Sequence, residues 1–375
     1  MTEALKADEI ALIRARAAEL LNGLTKKETD PRSWIREGQN VDESDSRSEQ
    51  CKFFDTHGFV KIEQLSDSEE VEALKSQMAS LAEQWDPASG IDSFGTDSKA
   101  NMSRGDYFLE SANKVHFFAE ASALVDGEKE LRPEFQNDKM SALNKAGHAM
   151  HIIPGAFQDY TRSDKIRDLI LSLGWKHPVV PQSMYIFKQR KIGAVVTSHQ
   201  DSTFLYTTPK QSCLGLWLAL DDATLENGCL WVRPQSHWEA TRRQFKRNPL
   251  HFGQKTIDAR SNEAVGDLSA PKLVMEDLPG REAISWEGDV PKGGYEKLFE
   301  AGFVPVECNA GDLLAFGGEL DHLSLPNFSN KPRHTFQLHL VEGEKAGVVW
   351  SPHNWLQYPP GQPFMSLLDE TNSNN

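Results

Sequence analysis

The sequence has no apolar run of about 18 residues, the length a helix needs to span a bilayer. Its start lacks the continuous apolar stretch of a secretory signal, and Ser373-Asn374-Asn375 is not a peroxisomal tripeptide. Cysteine is scarce. Cys51, Cys213, Cys229 and Cys308 are widely spaced and form no CxxC pair. This argues against a disulfide framework and fits reduced thiols in an intracellular protein, so a cytoplasmic location is expected. Positive charge is also short: 40 Lys and Arg stand against 55 Asp and Glu, a formal net charge of −15. Nucleic acid and anionic membrane surfaces are therefore poor candidates for the main partner, while a local basic pocket for a small anion stays open. No internal repeat is visible. What remains is 375 residues, 39% hydrophobic and 25% charged, enough for one large domain or two small ones with a sizeable core.

Ile10, Ile13, Ala17, Leu20 and Leu24 recur at helical spacing and predict a helix over residues 4–24. Residues 38–50 are polar and acidic and read as a linker. A new unit opens near Cys51, with a short strand over 58–62. Ser66 with Glu69 has capping-box spacing, ahead of a helix whose buried face is Val71, Leu74, Met78, Leu81 and Trp85. Residues 86–105 read as a loop, Val115 and Phe117 as a strand, and Asp126-Gly127 as a turn. Residues 141–173 read as helical, broken at Pro154-Gly155; on that reading Lys145 is solvated and His148 and His151 are partly buried. The pattern then changes. Strand-length runs follow at 179–188, 213–220, 229–232, 303–307, 313–316 and 333–341, and Asn227-Gly228 predicts a hairpin between the second and third. Together they predict an all-β barrel or jelly roll. Residues 240–300 are charged, rich in Pro and Gly, and weakly periodic, which marks an insertion that is either a lid or disordered.

The chemistry centres on His199-Gln200-Asp201. In an extended strand the side chains at i and i+2 share a face, so His199 and Asp201 converge. Alone this is a common surface feature. His322 downstream completes two histidines and one carboxylate, the facial set that holds non-haem Fe(II) and leaves coordination positions open. Those positions suit a bidentate 2-oxo acid, whose far carboxylate then needs a cation. Arginine offers the planar fork. Arg333 lies 11 residues after His322, so a turn can bring it back beside that strand, and Ser324 shares a face with His322. In the strand that follows, Phe336, Leu338 and Leu340 share one face and Arg333, Thr335, Gln337 and His339 the other. The ordinary rule puts the polar face in solvent. The expectation here is the reverse: Arg333 points into the barrel.

The chain also resembles a known family. Asn144-Lys145-Ala146-Gly147-His148-Ala149, the segment 182–188, His199-Gln200-Asp201, Trp217, the segment 222–231 and Trp350-Ser351-Pro352 occur in the order seen in the phytanoyl-CoA dioxygenase family of Fe(II)/2-oxoglutarate oxygenases. The resemblance covers residues 51–368. It implies a mainly β fold with flanking α-helices, a double-stranded β-helix of the jelly-roll, cupin-like kind. It implies iron ligation by His199, Asp201 and His322, and 2-oxoglutarate contacts from Lys145, Met184, Trp217, Ser324 and Arg333. Gln200, between two ligands, would pass its backbone near the co-substrate. Trp217 and Met184 read equally as core residues. The implied activity is hydroxylation of a small molecule with decarboxylation of 2-oxoglutarate to succinate and CO2, dioxygen as co-substrate and ascorbate as stimulant. The implied organisation is a helical extension and linker over 1–50, an oxygenase domain over 51–368 with 240–300 as its lid, and a flexible tail over 369–375. The extension and the insertion fall outside the resemblance, and Gln235 stands where the family commonly has Gly. The substrate does not follow from the resemblance. Two other readings stay open: a 2-oxoglutarate and metal sensor without turnover, and a cupin-like Zn²⁺ hydrolase, which would leave Arg333 and Ser324 without a task.

Overall fold

A computed structural model describes residues 5–26, 48–94, 105–126, 129–258, 261, 263–280 and 294–368. Strands dominate its centre. The strands Pro178–Ile186, Val196–His199, Leu214–Ala219, Leu230–Val232, Val304–Val306, Leu313–Gly317, His322–Ser324 and Thr335–Glu342 are divided between two sheets. In chain order the sheet changes at each step except between the fourth and fifth strands. The small sheet runs Val304–Val306, Leu230–Val232, His322–Ser324, Val196–His199. The large one has nine strands, with Thr335–Glu342 between Leu214–Ala219 and Pro178–Ile186. This double winding is a jelly roll, as expected.

Alternation along each strand explains the layers. Leu216, Leu218, Phe336, Leu338 and Leu340 face a layer of helices, where they pack with Leu74 and Met78 of Ser68–Gln84 and with Ile166 and Ile170 of Asp164–Ser172. Each large apolar side chain buried this way contributes roughly 1.5–3 kcal/mol. The opposite face carries Trp217, Ala219, Leu314 and Phe316, which pack against Leu230, Val232 and Leu323 of the small sheet. The large sheet is thus covered on both faces, and the polar side of Thr335–Glu342 looks into the space between the sheets. The helix Ala7–Lys26 adds Ile10 and Ile13 to this second cluster. Among the described residues no helix is long and apolar enough to cross a membrane. All four cysteines are buried and unbonded to one another.

Several expectations are corrected. Residues 143–148 form a strand, paired with Val115–Ala119 and Pro178–Ile186, not a helix. Local propensity yields to a place in the sheet. Gly147 fits that place because a Cβ there would stand 3.2 Å from Met184 Cγ. The helices of the 141–173 stretch are Ala156–Thr161 and Asp164–Ser172. The capping box is one residue later than read, Asp67 with Glu70, and the Ser66 hydroxyl bonds instead to the Tyr160 hydroxyl at 2.9 Å. Asn227-Gly228 does not close a hairpin, since the strands on either side lie in different sheets. Asn227 closes a local turn, accepting from Thr224 N and donating to Asp222 O. Likewise His322–Ser324 and Thr335–Glu342 lie in different sheets, so Arg333 returns across the barrel and not along a hairpin. The helix Glu49–His57 takes in the last two residues of the 38–50 linker and opens the unit expected from Cys51; 38–47 lie outside the described residues, as do the tail, Gly127 and the segments 259–260, 262 and 281–293 of the insertion. The described insertion is ordered around the antiparallel pair Arg243–Arg247 and Leu273–Asp277. Gln235 has φ +70, in the left-handed region that favours glycine.

Candidate active site

His199 ends one strand of the small sheet, and His322 starts its neighbour directly opposite. Asp201 follows on a 3-10 turn, Asp201–Thr203. The three are the one group among the described residues whose ligand atoms all lie within 4.8 Å of one another. His199 Nε2 is 3.4 Å and His322 Nε2 3.7 Å from the same oxygen, Asp201 Oδ1. Each ring is held from behind: His199 Nδ1 meets Thr197 O at 2.8 Å, and His322 Nδ1 meets Leu320 O at 3.0 Å. Those carbonyls accept, so we assign the protons to Nδ1, which leaves both Nε2 lone pairs aimed at one point. Two neutral imidazoles and a carboxylate around an apolar-walled space are a donor set that fits a divalent metal.

The electrostatics of the metal-free site differ between the two rings: His322 is held neutral, while the Asp201 carboxylate favours a proton on His199 that a metal would displace. Burial and the neighbouring His199 push His322 down to about 4, so it is neutral at physiological pH. Burial alone would push Asp201 up, but His339 and His322 overcome it and hold the carboxylate well below its usual range. Burial pulls His199 down, and its bond to Asp201 reverses this to a net rise. His339 is a residue the sequence left without a role. Its Nε2 meets Asp201 Oδ2 at 3.1 Å, which occupies the oxygen that does not face the two histidines.

The cavity beside the triad is lined by Phe94, Phe108, Phe204, Leu205, Phe316 and Trp355, and by every expected co-substrate residue except Gln200. Lys145 donates to His148 Nε2 at 2.8 Å and lies 3.4 Å from the Phe94 ring centre. His148 Nδ1 meets Ser111 Oγ at 2.7 Å, and that hydroxyl donates to Phe108 O. Lys145 is therefore a buried, fixed cation and not a solvated one. Met184 Sδ sits 3.7 Å from its ammonium. Across the cavity Arg333 is 2% exposed and stacks 5.1 Å from the Trp217 ring centre. Its Nη2 reaches Ser324 Oγ at 3.4 Å, while Nε and Nη1 have no hydrogen-bond partner. A buried guanidinium with two open donor atoms fits a carboxylate. The Ser324 hydroxyl itself donates to Gly228 O. Gln200 turns its amide away from the cavity, donating to Glu319 O at 2.9 Å and accepting from Arg242 N at 3.1 Å. It fixes the loop between two ligands from outside.

A jelly roll with two histidines and one carboxylate about a point, and an orphan arginine facing them, has the build of a 2-oxoglutarate-dependent non-haem iron dioxygenase. The comparisons agree on the class and give the family. The family model described as phytanoyl-CoA dioxygenase matches residues 54–335. A phytanoyl-CoA dioxygenase of Arabidopsis thaliana is 37% identical over 82% of this chain and 93% of its own. Phytanoyl-CoA dioxygenase domain-containing protein 1 of Danio rerio is 36% identical over 84% and 96%. The chain belongs to the phytanoyl-CoA dioxygenase family. Among solved structures, EctD from S. alaskensis with 2-oxoglutarate and 5-hydroxyectoine is 16% identical, covers 84% of this chain and 83% of its own, and has a TM-score of 0.49.

Proposed function

We propose that the protein hydroxylates a small-molecule substrate at this cavity, with His199, Asp201 and His322 holding Fe(II), and with Lys145, Met184, Trp217, Ser324 and Arg333 surrounding 2-oxoglutarate. The observation that carries this reading is that the convergent triad and the buried Arg333, with two donor atoms free of hydrogen bonds, line one cavity. A bound Fe(II) supplies dioxygen activation, with 2-oxoglutarate as electron donor leaving as succinate and CO2; ascorbate would act as a stimulant. The chain's part is to orient and to exclude water. Arg333 and Ser324 fix the far end of the co-substrate. Trp217 lies against the guanidinium and limits its movement. Phe94, Phe204 and Trp355 give the prime substrate an apolar wall. The insertion is proposed as the rim of this site, because its Arg243–Arg247 strand brings Phe245 within 5.5 Å of Phe204, beside His199.

The test is succinate formation from 2-oxoglutarate with Fe(II) over a substrate panel that includes phytanoyl-CoA, free acids and alcohols. Fe(II)-dependent succinate is expected from the wild type, and Asp201→Ala should abolish it while the protein stays folded. Full activity in Asp201→Ala would remove that residue from the triad. Succinate absent across the panel would favour the sensor reading, and hydrolysis with Zn²⁺ the hydrolase.

A further inference from the structure

The cavity holds a second basic side chain beside Arg333 that the proposed reaction has not used. Lys188 is 2% exposed and lines the same space as Arg333 and Ser324. Its ammonium donates to Ala194 O at 2.8 Å. The N–H of that residue donates to Glu120, 3.3 and 3.4 Å from the two carboxylate oxygens. Lys188, residue 194 and Glu120 therefore form a chain, with backbone between the charges. An ammonium has three donors, and this bond uses one. The fold makes room for the lysine stem: a Cβ on Gly228, at φ +85, would stand 2.3 Å from Lys188 Cε. Burial pushes the Glu120 carboxyl up to about 7. With Lys188 protonated and Glu120 ionised, the set with Arg333 carries one net positive charge, which one bound carboxylate neutralises. Burial, with Arg333, holds the Lys188 amine well below its usual range despite Glu120, and an arriving anion favours the ammonium.

Resting on the co-substrate reading above, we infer that Lys188 joins Arg333 in binding the far carboxylate of the 2-oxo acid, so that the site selects a dicarboxylate over a monocarboxylate. Glu120 is the positioning residue, acting on Lys188 through residue 194. The experiment is calorimetric titration of the Ni²⁺-loaded full chain with 2-oxoglutarate and with 2-oxopentanoate, which carries a methyl group in place of the far carboxylate. Two variants are compared with wild type: Lys188→Met, and the charge-balanced Lys188→Met/Glu120→Gln, which leaves no unpaired buried carboxylate if the single variant fails to fold. Both should lose affinity for 2-oxoglutarate on the order of tenfold or more, the scale of a charged hydrogen bond, with 2-oxopentanoate affinity unchanged. Equal losses for the two acids, or no loss in the folded double variant, would overturn the inference. If wild type binds neither acid, it is the co-substrate reading that fails.

Discussion

At the scale of single residues, the Asp201 carboxylate shows how a proposed metal ligand is made one-sided. Oδ1 faces both histidines, while Oδ2 is taken by His339 Nε2 at 3.1 Å. In the proposed metal site His339 would therefore act on the ion through Asp201. His339→Ala should weaken Co²⁺ or Zn²⁺ binding by roughly 10–100-fold, the usual cost of losing such an outer partner, in a protein that still folds. His339→Gln keeps a donor and should restore much of the affinity. Calorimetric titration of the metal-free protein measures both, and unchanged affinity in the alanine variant would count against the role. The sequence shows why this residue escapes notice. Period-two alternation places His339 on the Arg333 face, but its partner lies 138 residues away, and no local pattern signals such a pair. The triad was legible from its residue types and close spacing, but not for the expected reason: the strand ends at His199, and a 3-10 turn, not an extended strand, brings Asp201 beside it. Lys188 was not, because its partners Ala194 and Glu120 come together only through the fold.

At the scale of elements, the strands of the jelly roll were legible wherever apolar runs ended in turn residues. Their assignment to sheets was not. Asn227-Gly228 has the local chemistry of a hairpin, yet the chain uses that turn to cross between sheets. Residues 143–148 carry no β-branched side chain, and only their two neighbouring strands make them a strand. The insertion shows the same limit. Weak periodicity marked it as irregular, whereas its root is tied by ion pairs to the metal-ligand segments. Arg242, almost fully buried, bonds to Asp321 beside His322, and its N–H bonds to Gln200 beside His199. Asp321 also pairs with Arg233. One residue on, Arg243 pairs with the exposed Asp277 at 3.0 Å. These two arginines should differ sharply. Arg242→Ala leaves the buried Asp321 with Arg233 as its remaining ion-pair partner and should cost roughly 2–3 kcal/mol, the upper range for a hydrogen bond to a charged group. Arg243→Ala should cost about 1 kcal/mol or less. Urea denaturation of the metal-free variants measures the difference. Similar costs would mean that the insertion is not anchored through Asp321.

At the scale of the whole molecule, the same burial that builds the cavity holds several histidines neutral. His151, bonded to Ser183 at 2.7 Å, is pushed by burial down to about 3. His237 and His334 are pushed by burial down to about 4. The ordinary value is 6.5, so between that pH and the folded-state values the unfolded chain binds more protons than the folded one. Stability therefore rises with pH through this window; it is complete above about 6.5 and is lost as pH falls toward 3–4. Asp201, held well below its usual range, adds to the loss in the same direction at still lower pH. At pH 5 each neutral histidine withholds roughly 2 kcal/mol, from 1.5 pH units at 1.36 kcal/mol each. Three of them together are comparable with the roughly 5–15 kcal/mol that holds a domain folded. With a chelator present to remove the metal term, the urea midpoint should fall steeply between pH 7 and pH 5. In His151→Gln the protein should be less stable at pH 7, because the Ser183 bond is altered, but its midpoint should fall less steeply. A pH dependence as steep in His151→Gln as in wild type would mean that His151 takes up its proton without unfolding the layer between sheet and helices.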